Sequence, residues 1–235
     1  MRGVLVAGGR GMRLAPATEK TPKCLLRVRG VPIAEGLVRR LAAAGAREVF
    51  LLAHHLAEAL ERHFAAAALP VPVEVVREPS PLGTIGGLRL LPPGEGTTLV
   101  ANGDLVTALD FAAMLRAHRL RGADLTIATH EERVRLTLGE VLADEGGRVT
   151  EYLEKPAKRF AISSGVYLLE PRALALLRSG ERADFPDLVR RAISGRLLVL
   201  AHRDDAFWID VNTLEDLATA SEQAQRDPSL LGLPA

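Results

Sequence analysis

The chain has 235 residues, 48% hydrophobic and 25% charged, with 30 Lys and Arg against 29 Asp and Glu for a net charge of +1. That length and composition suit an ordinary globular chain with enough material for a real core, one α/β domain or at most two small ones. The balanced charge excludes the lopsided or blocked patterns of nucleic-acid-coating proteins.

In chain order, a buried strand is predicted over 3–7, ending in a glycine loop, and a helix over 33–44, stopped by Gly45. A strand over 48–53 and a helix over 56–67 follow, then a strand over 73–77 and a short helix over 84–91 closed by Pro92-Pro93. Next come a strand over 97–101, a helix over 111–120 and a strand over 124–129. This alternation implies parallel βαβ units with right-handed crossovers. The second half differs: segments 136–142 and 148–153 flank Asp144-Glu145-Gly146-Gly147, a hairpin signal. A strand over 161–169, helices near 172–177 and 185–194, short strands over 196–201 and 207–210, and a helix over 213–225 complete the chain. With no repeat and no Gly/Ser- or Pro-rich linker, the expectation is one domain over 1–235. It is a mixed, mainly parallel, Rossmann-like α/β sheet flanked by helices, with a nucleotide-binding half to about residue 130 and a substrate half beyond.

The single cysteine, Cys24, excludes an internal disulfide and points to a reducing compartment. The longest charge-free apolar stretch, about 64–73, holds two prolines and is too short to span a bilayer. The start of the chain has too short an apolar run for a signal peptide, so a cytoplasmic location is expected. Abundant arginine with few Asn, Gln, Met and Cys leans toward a heat-stable protein, although a high-GC genome would give the same bias.

The loop Gly8-Gly9-Arg10-Gly11-Met12-Arg13-Leu14 sits where open α/β sheets bind ligands, beyond a strand's carboxyl end. Glycines let backbone N–H groups approach phosphate, and arginine adds a charge-assisted fork. It is not a dinucleotide fingerprint, because Leu14 stands at the third glycine position and no acidic residue ends the second strand. Nor is it a Walker A loop, because the chain has no Gly-Lys pair. The continuation, Arg13-Leu14-Ala15-Pro16, Thr18 and Pro22-Lys23-Cys24-Leu25, is a long polar loop, and such loops are usually functional. With this continuation the sequence resembles the sugar-1-phosphate nucleotidyltransferases, whose signature G-G-x-G-x-R-L-x-P-x-T is followed by P-K. Met12 replaces a usual Thr or Ser, which removes one hydroxyl contact to phosphate. The likeness continues through Glu78-Pro79, Leu82-Gly83-Thr84-Ile85-Gly86-Gly87, Asn102-Gly103-Asp104, Gly139, Glu154-Lys155-Pro156, Ser164-Gly165-Val166-Tyr167 and Trp208-Ile209-Asp210-Val211-Asn212-Thr213. In the last motif Asn212 stands where glycine is usual.

The resemblance implies attack by a sugar-phosphate oxygen on the α-phosphorus of a nucleoside triphosphate, expelling pyrophosphate. Such a nucleophile is already anionic, so the demand is for cations and a metal rather than a triad. It assigns Ala7, Gly8, Gly9, Gly11, Arg13, Lys23, Glu78, Gly83, Thr84 and Asn102 to the nucleotide. Gly139, Glu154, Lys155 and Ser164 go to the sugar, and Asp104 and Asp210 to Mg²⁺. Arg13 would grip the β/γ-phosphates, Lys23 the α-phosphate and Lys155 the sugar phosphate. The glycine-threonine loop most resembles the guanylyltransferase branch, which makes GTP and mannose 1-phosphate the expected substrates. A thymidylyl, uridylyl or cytidylyl enzyme, an enzyme for another alcohol phosphate, and a silent nucleotide-sugar-binding homologue stand as alternatives. Retention of Lys155, Asp104 and Asp210 favours an active enzyme. His54-His55 lacks Cys/His partners at zinc spacing. Cys24, beside Lys23, would have a slightly lowered pKa if it lay near the site, although its size suits a packing role. Trp208 is expected to anchor the core. Oligomeric state is not legible.

Overall fold

The computed structural model describes residues 1–9 and 11–233. β1 (Arg2–Val6) is followed by 3-10 turns at Met12–Leu14 and Lys23–Leu25, a small ribbon of β2 (Arg27–Val28) and β3 (Val31–Pro32), and α1 (Ile33–Ala43). Then come β4 (Val49–Ala53), α2 (Ala57–Ala66), β5 (Val73–Arg77), a 3-10 turn at Gly86–Leu90, β6 (Thr98–Asn102), β7 (Leu105–Thr107), α3 (Phe111–Leu120) and β8 (Leu125–Arg135). β9 (Glu140–Ala143) and β10 (Val149–Leu153) form a hairpin ahead of β11 (Ala157–Leu169). The chain continues through α4 (Pro171–Leu174), α5 (Phe185–Ser194), β12 (Val199–Arg203), β13 (Trp208–Asp210) and α6 (Leu214–Arg226).

One seven-stranded sheet runs through both halves in the order β12-β8-β11-β6-β1-β4-β5. β1, β4, β5 and β6 are parallel neighbours, and β12 is parallel to β8. β11 runs against both of its neighbours, β6 and β8, so the sheet is mixed and mainly parallel. The reversal arises because β11 is fed by a hairpin rather than a crossover helix, which strict βαβ alternation could not foresee.

The central strands are apolar on both faces, as a sheet covered on both sides requires. On β4, Val49, Leu51 and Ala53 enter the core with α1 and α2, while Phe50 and Leu52 enter the core with α5. Each fully buried side chain of this kind stabilises the fold by about 1.5–3 kcal/mol before entropy is counted. α6 begins with a capping box in which the Thr213 hydroxyl accepts from the Asp216 N–H at 3.1 Å.

Three readings need correction. The helix expected over 84–91 is only the 3-10 turn at Gly86–Leu90, since Gly86-Gly87 disfavours an α-helix and the Thr84 N–H is taken by Asp184 Oδ1 at 2.8 Å. The strands expected to end at 129 and begin at 161 run on as the outer parts of β8 and β11, a two-stranded arm tipped by the β9–β10 hairpin. The arm strand reads His130-Glu131-Glu132-Arg133-Val134-Arg135, too charged to look like sheet, because most of it is solvated. β7 was not anticipated; it pairs antiparallel with β13 through Leu105–Asp210 and Thr107–Trp208.

Candidate active site

The site forms at the carboxyl edge of β1, β4, β5 and β6. After Val6 the backbone is tied across the sheet, with the Ala7 N–H donating to Leu52 O at 2.8 Å and the Gly103 N–H to Val6 O at 2.9 Å. The glycine loop then doubles back. Gly11 lies at φ 61°, and its carbonyl accepts from the Leu14 N–H and the Thr18 hydroxyl, each at 2.8 Å. A Cβ on Gly11 would come within 3.0 Å of Thr18 and 3.3 Å of the Lys23 stem, so this glycine is required by both conformation and space. The fold-back carries Lys23 under the loop and leaves Arg13 exposed in its turn.

Lys23 donates to Asp104, and its Nζ also donates to Asn212 Oδ1 at 2.7 Å. Asp104 occupies the tight turn between β6 and β7, and Asp210 ends β13. The β7–β13 ribbon makes them neighbours: the Val211 N–H donates to Asp104 O at 3.0 Å, and Asp210 faces Leu105. Because Asp104 lies in the turn, strand alternation does not force its side chain onto the opposite face. Burial and the negative charge of Asp104 push the Asp210 carboxyl up to about 6, against the opposing pull of Lys23 and Asn102. Asp210 Oδ1 is buried and has no hydrogen-bond partner among the described residues.

That donor set fits a hard divalent cation. The Asp104 and Asp210 carboxylates are near enough to perturb each other, the Lys23 ammonium is paired with Asp104, and one buried Asp210 oxygen is unsatisfied among the described residues. No group of three or more His, Cys, Asp or Glu able to hold a metal occurs among the described residues. A Mg²⁺ ion needs only one or two carboxylates when phosphate oxygens and water supply the rest.

A cavity of about 410 Å³ opens beside this cluster, with Gly8, Gly9, Glu78, Gly83, Thr84, Asn102 and Asp104 among its walls. It therefore gathers most of the residues expected to hold the nucleotide. Three further polar side chains line it that the sequence did not single out for this role: His54, His55 and Arg182. His54 Nδ1 lies 3.0 Å from Glu78 O. Arg182 is delivered by the segment before α5, which is bolted to the glycine-threonine loop: the Ile85 N–H donates to Ala183 O at 3.1 Å and the Ala183 N–H to Leu82 O at 2.9 Å. Gly83 sits at φ 80°, and a Cβ there would run into the Ala183 carbonyl. Burial raises the Glu78 carboxyl, with the Leu82 N–H and His54 opposing. Grooves of about 500 Å³ between α1 and α3 and about 570 Å³ near His118 and Glu170 contain none of the expected site residues.

The expected sugar residues are divided. Ser164 is buried beside the cleft: its Oγ lies 2.9 Å from His130 Nδ1, and its carbonyl accepts the Trp208 indole N–H at 2.6 Å. Trp208 stacks on His130 at 4.6 Å and packs against the core, the anchoring role expected of it. Gly139, Glu154 and Lys155 gather on the arm instead. Tyr152 links them, donating to Glu154 Oε2 at 3.3 Å and closing the space above Gly139, while Lys155 Nζ lies 3.9 Å from Glu154 Oε1. Ser164 lies nine positions after Lys155, roughly 30 Å along an extended strand. Cys24 takes the packing role its size suits: it is buried, and desolvation first, then Asp104, push its thiol up to about 12 rather than lowering it. The thiol is inert.

A parallel-edge glycine loop, a carboxylate pair with a lysine held against one member and an adjoining cleft are the parts expected of a nucleotide-binding site. Residues 2–227 match the family model described as nucleotidyl transferase, and the chain belongs to that family. It is 32% identical over 245 residues to a mannose-1-phosphate guanylyltransferase of Mycobacterium tuberculosis, covering 97% of this chain and 67% of that protein. It is 28% identical to a UTP–glucose-1-phosphate uridylyltransferase of Synechocystis, covering 92% of this chain and 61% of that one. The chain thus spans about two thirds or less of the length of these relatives. Among solved structures, a glucose-1-phosphate thymidylyltransferase assignment from Bacillus anthracis, in complex with sucrose, superposes with a TM-score of 0.77 at 21% identity, over 97% of this chain and 96% of that one. HddC from Yersinia pseudotuberculosis complexed with GMP-PN gives 0.69 at 23% identity, over 95% and 99%. These likenesses confirm the fold. No helix among the described residues is long and apolar enough to cross a membrane.

Proposed function

We propose that the chain transfers a nucleotidyl group from a nucleoside triphosphate to a sugar 1-phosphate, releasing pyrophosphate, with GTP and mannose 1-phosphate as the first pair. The observation that carries this reading is Lys23 held against Asp104, beside the half-buried Asp210 and beneath a glycine loop. The attacking phosphate oxygen needs no base, so one P–O bond forms at the α-phosphorus as the bond to pyrophosphate breaks, with no proton transfer. Gly8, Gly9 and Gly11 would present backbone N–H groups to the triphosphate, while Arg13 and Lys23 neutralise its charge. Asp104 and Asp210 would hold Mg²⁺, which draws the two anionic substrates together and offsets their repulsion. Lys155 would meet the phosphate of the sugar 1-phosphate and Glu154 its sugar hydroxyls, which requires the arm to bend where the β8–β11 register shifts between Ser163 and Tyr167. The chain then divides functionally into a nucleotide half to about residue 130 and a sugar-phosphate half beyond, acting as one domain in the cytoplasm.

Guanine is supported by the M. tuberculosis relative and by Glu78 in the cleft. An ionised carboxylate accepts only. It suits guanine's adjacent N1–H and N2–H donors better than the pyrimidine edge of uracil or thymine, whose single N–H lies between two carbonyls. The test is a matrix of GTP, UTP, dTTP, CTP and ATP against sugar 1-phosphates, scored for pyrophosphate with Mg²⁺. Release with GTP and mannose 1-phosphate supports the full reading. A clear preference for UTP or dTTP overturns the base, and no release with any pair overturns the transferase.

A further inference from the structure

Asn212 is the one departure in the Trp208–Thr213 motif, and the proposed chemistry makes no use of it. Its carboxamide is fully oriented. Oδ1 accepts from Lys23 Nζ at 2.7 Å, Nδ2 donates to Asp210 O at 3.3 Å, and the backbone N–H donates to Asp216 Oδ2 at 2.9 Å. Flipping the amide would set NH₂ against an ammonium and one oxygen against another, so only this orientation is satisfied. A glycine could make none of the side-chain contacts.

We infer that Asn212 is a positioning residue that pins the Lys23 ammonium across the mouth of the Asp104–Asp210 carboxylate pair, making Lys23 an internal counter-ion in the place a divalent cation takes. The inference rests on the reading of that pair as the cation site. An ammonium anchored at two points stays near Asp104 more than one anchored at a single point, because the second contact lowers the freedom lost in forming the first. Asn212 therefore has two consequences of opposite sign. It strengthens the competition a cation meets at Asp104, and it holds Lys23 ready for the phosphates, with two of its three donors engaged among the described residues. The triphosphate would relieve the competition by giving the ammonium a new anionic partner as the cation enters. Cation and nucleotide binding would then be coupled through one lysine.

The test is a Mn²⁺ titration of the free protein, followed by electron paramagnetic resonance, for wild type, Asn212→Ala, Lys23→Met and the double variant. Asn212→Ala keeps the backbone N–H that donates to the Asp216 carboxylate of the α6 capping box. Mn²⁺ should bind Asn212→Ala about three- to tenfold more tightly than wild type, the range of one lost hydrogen bond. A GTP analogue with an α,β-methylene bridge should bind the same variant several-fold more weakly. In the Lys23→Met background, Asn212→Ala should leave Mn²⁺ affinity unchanged. A loosened fold would weaken both ligands, and that result overturns the inference, as does an equal effect in both backgrounds. If Lys23→Met binds no Mn²⁺ at millimolar concentration, the carboxylate pair is not a cation site, and the underlying reading falls along with the inference.

Discussion

Replacing Asp210 by Asn should make the free protein more stable and the enzyme nearly dead. The carboxyl is lifted to about 6 by burial and by Asp104, and Oδ1 finds no partner among the described residues. Its folded pKa lies about two pH units above that of an unfolded aspartate, worth about 1.4 kcal/mol per unit, so the ionised group costs the fold up to about 3 kcal/mol. Partial exposure reduces this to about 2 kcal/mol. The sign is fixed by linkage. Between about pH 4 and 6 the folded state holds more protons than the unfolded one, so this group's contribution to stability falls as pH rises through that window. Above about pH 6 the full cost is present; below about pH 4 it is absent. Asp210→Asn removes the charge and keeps the shape. At pH 8 without divalent ions it should raise the unfolding midpoint by roughly 4–8 °C for a chain of this size, with little change near pH 4. Differential scanning fluorimetry across pH 4–8 reads this directly. A variant destabilised at pH 8, or one whose effect is the same at both ends, would refute the reasoning.

The other expectations concern the cleft and the arm. Arg13→Ala should weaken triphosphate use by about a hundredfold in kcat/KM, since a fixed bidentate cation is lost; unchanged steady-state kinetics would remove its assigned role. Lys155→Ala should raise the KM for sugar phosphate, or lower kcat if the contact tightens in the transition state, and a change confined to the nucleotide KM would show it misplaced. Arg182→Ala should raise the nucleotide KM several-fold, because the guanidinium lines the nucleotide cleft, and an unaltered KM would make Arg182 a bystander. Gly83→Ala should cost about 2 kcal/mol or more in a denaturant titration, because φ 80° and the Ala183 carbonyl both oppose a Cβ; wild-type stability would contradict that packing.

Much of the nucleotide half was legible because its elements are buried and regular. The strand over Val73–Arg77 and the helix over Phe111–Leu120 fall where periodicity puts them, since one face of each meets the core. Elements that owe their shape to solvent or to distant partners were harder to read. The outer parts of β8 and β11 carry charges on a face that no core covers, so their composition hides a strand. β7 has only three residues, and nothing local announces that Trp208–Asp210 will pair with it from a hundred positions away. At the site, ordered glycine and carboxylate motifs marked Lys23, Asp104 and Asp210, which the fold gathers. Arg182 was invisible because its place depends on backbone bonds between the 82–85 loop and Ala183, a tertiary event with no local pattern. Asn212 could have been found: a side chain where glycine is usual raises the question of what it touches.

The central claim is that the Asp104–Asp210 pair and its cation run nucleotidyl transfer as one unit. Pyrophosphate release from GTP and mannose 1-phosphate with Mg²⁺, measured side by side for wild type, Asp104→Asn, Asp210→Asn and the double variant, tests it most directly. The account predicts release by wild type, a loss on the order of a hundredfold or more in each single variant, and a double variant little worse than either. Turnover surviving in either single variant, or losses that simply multiply in the double, would contradict it.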